Sequence, residues 1–111
     1  MSESLTVYNA ETYHTNSAVD QTYTLNGNQS GRPIYQYSKK AAIKWDEFKL
    51  GEFDQMAWMV MNIKKNTIRF VSFTDVYDPR LAEDWKYLFP VYNRDLNNEM
   101  KLMNTSDFYL A

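Results

Sequence analysis

The sequence predicts an α+β fold: an antiparallel sheet with a central hairpin over residues 57–74 and two C-terminal helices packed on one face. Three observations lead there. Residues 57–63 and 67–74 are two arms of high β propensity around the turn Lys64-Lys65-Asn66. Asp78-Pro79 then precedes apolar residues at helical spacing. Strands followed by helices, in that order, favour α+β over a doubly wound sheet.

The chain has 111 residues, 44% hydrophobic and 16% aromatic, which fits one domain with enough apolar material to close a core. With no cysteine there is no disulfide framework, zinc knuckle, iron-sulfur cluster or thiol nucleophile. Residues 1–33 are polar, with Leu5, Val7, Val19 and Leu25 as the strong aliphatics. They are expected to give short edge strands around Thr6-Val7-Tyr8 and Thr22-Tyr23-Thr24-Leu25, or a partly mobile arm. A strand is expected over residues 34–45, followed by an irregular acidic stretch through Gly51 and Phe53.

The hairpin arms are apolar on both faces, so both faces need a cover. Leu81, Trp85 and Leu88 form the stripe of a first helix that Pro90 ends, and Leu96, Met100 and Met103 repeat the spacing in a second helix over 93–103. The apolar tail Phe108-Tyr109-Leu110 is expected to dock on the sheet or on a partner chain.

Charge and motifs bound the function. The net charge is -2, without the basic excess usual in domains that bind by neutralising phosphates. Three glycines, at 27, 31 and 51, form neither a dinucleotide fingerprint nor a P-loop, so no nucleotide cofactor is expected. The lone histidine, His14, has no triad partner nearby in sequence and reads as a surface residue. Neither a basic leader nor a membrane-length apolar run occurs, which reads as cytosolic with no membrane partner.

What is left is an abundance of Tyr, Trp, Phe and Met, the residues enriched at protein interfaces. The expected function is therefore a non-catalytic protein-binding module, an inhibitor, adaptor or accessory subunit, that also self-associates. Its expected contact residues are Tyr35, Tyr37, Tyr87, Tyr92, Phe108 and Tyr109. A second reading is a single-stranded nucleic-acid binder using Lys64, Lys65 and Arg69. A third is a small carboxylate-dependent enzyme centred on Asp75 and Asp78, although capping and a strand-exit turn account for both acids. The acids Asp46, Glu47, Glu52 and Asp54 lack the spacing of a calcium loop and read as a solvated stretch, with no metal expected.

Overall fold

A computed structural model describes residues 3–13, 19–91 and 99–111. The fold is nearly all β, a curled antiparallel half-barrel, and the expected α+β arrangement with two C-terminal helices is wrong. The strands are β1 (Ser4–Tyr8), β2 (Thr22–Gln29), β3 (Arg32–Tyr37), β4 (Ala41–Leu50), β5 (Phe53–Asn62), β6 (Thr67–Ser72), β7 (Lys86–Val91), β8 (Glu99–Asn104) and β9 (Tyr109–Leu110). They form one sheet in the order β8-β7-β6-β5-β4-β3-β2-β1-β9. Eight strands thus run as a simple meander, and the ninth returns to pair with β1 on the opposite edge.

The longest ladder is not the expected central hairpin over 57–74, which is β5–β6, but β4–β5. Ten residues of β4 pair with ten of β5, from Ala41↔Asn62 to Leu50↔Phe53. The expected irregular acidic stretch is therefore the distal part of this ladder. Its two-residue loop starts at Gly51 with φ 62, a conformation that glycine takes without a Cβ penalty. On β6 the register shifts between Val60 and Met61, leaving Arg69 as the extra residue. This bulge lets Phe70 turn into the concave face while Ile68, two residues earlier, packs on the convex one.

Two apolar clusters result, one on each face of the same strands. Leu5, Val7, Tyr23, Tyr35, Ile43, Trp45, Trp58, Val60, Phe70 and Trp85 fill the concave side. Phe48, Ala57, Met59, Val71 and Leu88 are buried on the convex side, under Leu50, Met61, Ile68, Phe73 and Leu102. This two-sided burial explains the failed helices. A strand covered on both faces carries apolar residues at any spacing, so Trp85 on one face and Leu88 on the other imitate a helical stripe. Leu81 belongs to a three-residue 3-10 turn, Pro79–Leu81, which is all the helix that Asp78-Pro79 opens. Of the second expected helix, residues 99–103 lie in β8, and Leu96 lies outside the described residues.

Residues 105–108 carry the chain from one sheet edge to the other. Thr105 donates to the Trp85 carbonyl through both its N–H, at 3.3 Å, and its Oγ1, at 2.6 Å. Tyr13, after the 3-10 turn Ala10–Thr12, donates its hydroxyl to Asp107 Oδ1 at 2.6 Å and accepts the Ser106 N–H at 2.8 Å. Phe108 stacks on Phe70 with ring centroids 3.8 Å apart and planes at 9°, and meets Trp85 edge-on. The tail thus closes the concave core.

Truncating Phe108→Ala should cost about 3–5 kcal/mol, the usual range for a buried aromatic. Tyr109→Ala, which removes only the exposed stack on Tyr8, should cost about 1 kcal/mol. Urea unfolding followed by tryptophan fluorescence checks both; equal costs would contradict the closure role of Phe108.

Candidate functional site

Residues 73–85, between β6 and β7, make the longest connection described throughout, and side chains from several strands hold it in place. The Val76 carbonyl accepts two hydrogen bonds, from Arg32 Nη1 of β3 at 2.7 Å and from Trp58 Nε1 of β5 at 2.8 Å. Arg32 Nη2 also pairs with the Asp75 carboxylate. Its guanidinium lies 3.9 Å from the Trp45 ring centroid, so the cation is stacked as well as bonded. Val76 and Ala82 pack onto the concave core.

The outer part of the loop is fixed by Asp78 and Arg80. Asp78 Oδ1 accepts the Arg80 N–H at 2.9 Å, capping the 3-10 turn, while Arg80 Nη2 reaches Asp78 Oδ2 at 2.8 Å. Arg80 Nη1 donates to the Ser4 carbonyl of β1 at 3.4 Å, and Nη2 lies 3.8 Å from Glu3. Glu3 in turn accepts the Tyr35 hydroxyl at 3.0 Å. On the return, Thr74 Oγ1 donates to the Glu83 carbonyl and accepts the Glu83 N–H, both at 3.0 Å.

These contacts set the ionisation of the groups involved. Burial alone would raise the Asp78 carboxyl, but the hydrogen bonds and charge of Arg80 outweigh it and hold the group below its ordinary value. Tyr35 is pushed up to about 12, first by burial and then by the bond to Glu3 and its charge, so its hydroxyl stays a donor.

A well-held backbone leaves two apolar side chains in water. Tyr77 is 65% exposed and Leu81 66%, the highest values among the large hydrophobic residues described. Around them the loop carries Asp75, Asp78, Glu83 and Asp84. A cleft of about 320 Å³ adjoins its return, lined by Phe73, Thr74, Asp84 and Lys86. Glu52 and Asp54, at the β4–β5 tip, share this acidic end of the sheet.

The described turns at the opposite end carry four lysines, at the same end as the acids Glu11 and Asp20 of the β1–β2 connection. The β3–β4 turn holds Lys39 and Lys40, and the β5–β6 turn holds Lys64 and Lys65, all four exposed. The Ile63 N–H donates to the Lys40 carbonyl at 2.8 Å, which sets the two turns side by side. None of the four lysines forms an ion pair among the described residues.

The expected contact residues scatter under this arrangement. Tyr35, at 1%, and Phe108, at 6%, are core. Tyr37 and Tyr87 are half-buried against the same core. Tyr109, at 49%, is exposed and stacks on Tyr8 with ring centroids 4.8 Å apart. Tyr92 and His14 lie outside the described residues. Arg69 sits half-buried at the bulge, away from the turn that presents Lys64 and Lys65. Asp75 and Asp78 are each engaged by an arginine, and no group of three or more metal-ligating residues occurs among the described residues.

Sequence reasoning missed Tyr77, Leu81 and Arg32. Tyr77 sits between the two acids that drew attention, and Leu81 was absorbed by the helical stripe. Arg32 lies beside a turn at Gly31 and gives no local sign that it reaches residue 76.

Because the folded Asp78 value lies below the unfolded one of about 3.9, its contribution is present above that pH and is lost as pH falls through the lower folded value. The melting temperature should therefore drop less steeply in Asp78→Asn than in the wild type as pH falls below about 4. Parallel acid limbs in thermal melts would contradict the Asp78–Arg80 geometry.

No family model, curated protein or solved structure matches this chain, so similarity assigns it no activity.

Proposed function

We propose that the protein is a non-catalytic protein-binding module of the adaptor, inhibitor or accessory-subunit kind, and that the 75–84 loop is its contact surface. One observation carries this reading: Tyr77 and Leu81, bared to solvent, stand on a backbone held by the side chains of Arg32 from β3 and Trp58 from β5, while the loop's own Arg80 reaches the Ser4 carbonyl of β1. Association costs conformational entropy, and a contact loop already fixed in its bound shape loses less of it. Tyrosine is a frequent hot spot, offering a large rigid surface with a polar tip.

The residues around the pair favour one partner chemistry. An apolar pair rimmed by Glu83 and Asp84 suits an apolar pocket with a basic rim.

Affinity capture from the source cell, run in parallel with wild-type and Tyr77→Ala/Leu81→Ala baits, tests the reading. A stoichiometric protein is expected on the wild type, weakened at least about 30-fold on the double variant, since loss of one hot spot costs about 2 kcal/mol or more. Glu83→Gln/Asp84→Asn should slow association with that protein and reduce its salt dependence. Capture of nothing, or of the same protein equally by both baits, would overturn it.

A further inference from the structure

We propose a second, independent binding site at the far end of the sheet, where Lys39, Lys40, Lys64 and Lys65 hold the sugar-phosphate backbone of a single-stranded nucleic acid. Net charge conceals this site. The chain is acidic as a whole, yet four of its 12 Lys and Arg residues stand on two adjacent turns. By contrast, Arg32, Lys44, Lys49 and Arg80 all pair with carboxylates.

The two turns are built to hold their lysines in place. Each contains a non-glycine residue in the left-handed region, Ser38 at φ 51 and Asn66 at φ 52. The buried Asn62 accepts the Lys65 N–H through Oδ1 at 3.0 Å, and the Asn66 N–H closes onto the Ile63 carbonyl at 3.0 Å. The Ile63–Lys40 bond then locks one turn to the other. The acid whose field reaches the nearby Tyr23, Asp20, is turned onto the N–H groups of Ala10 and Glu11.

Spacing selects the ligand. The two hydrogen-bonded turns set four ammonium groups in a row, which several consecutive phosphates of an extended polyanion can follow and one small anion cannot neutralise. Tyr37, half-buried against the core, keeps part of its ring at the same end, 6.0 Å from Lys40 Nζ. The acidic residues at the other end of the sheet orient an approaching polyanion toward the lysines.

Fluorescence anisotropy with a labelled oligouridylate of about 20 nucleotides, spanning two OB-fold-sized sites or more, reads this out. With four phosphates neutralised, the log–log salt slope should be about -3, a loss of roughly 50-fold in affinity between about 50 mM and about 200 mM salt. Each pair variant, Lys39→Gln/Lys40→Gln or Lys64→Gln/Lys65→Gln, should halve that slope. Lys44→Gln/Lys49→Gln should leave it unchanged. The exposed turn positions keep their stems in these variants, and melting temperature verifies folding. Absence of binding at low salt, a slope insensitive to both pairs, or tighter binding to a duplex or to phosphatidylserine vesicles would overturn the assignment. Tyr77→Ala/Leu81→Ala should bind the oligonucleotide normally, which separates this site from the protein-binding loop.

Discussion

One carbonyl oxygen, that of Val76, ties the longest described loop to the sheet. It takes Arg32 Nη1 from β3 and Trp58 Nε1 from β5, two strands separated by β4. Each bond is worth about 1 kcal/mol net, but leaving a buried partner unsatisfied costs about 1–3 kcal/mol, so the loop cannot lift without stranding donors. The stack of Arg32 on Trp45 adds a cation–π contact to the same point. Tyr77 and Leu81 owe their fixed presentation to this anchor, since both follow it by five residues or fewer.

A meander makes such an anchor possible. Because consecutive strands are neighbours, connections alternate between the two ends of the sheet, and every turn falls at one end or the other. The Lys39-Lys40 and Lys64-Lys65 turns therefore share one end, and the acidic β4–β5 tip shares the other with the anchored loop. The proposed protein contact and the proposed nucleic-acid contact follow from that alternation. A module with both would tether one macromolecule to another.

How much of this was legible in the sequence depended on whether the signal was local. The β5–β6 hairpin with its Lys64-Lys65-Asn66 turn could be read because β propensity and a turn residue tolerant of positive φ are properties of neighbours. The cap at Asp78-Pro79 was equally visible, but a cap sets where a helix starts and not how far it runs. Trp85 and Leu88 misled because two-sided burial removes the period-2 alternation that marks a strand. Composition counts rings without locating them, so it offers Tyr35 and Phe108 as contact residues; the curled sheet buries both. The lysines at 64 and 65 are visible in the sequence, yet their meeting with Lys39 and Lys40 depends on the register Ala41↔Asn62, 21 residues apart in the chain.

Backbone 15N relaxation over residues 75–82 measures the rigidity on which the anchored loop depends. Order parameters of about 0.85, equal to those of the strands, are expected in the wild type, falling in Trp58→Phe, which keeps the ring and deletes the N–H to Val76. Values below about 0.6 in the wild type would show a mobile loop and contradict a preformed contact surface.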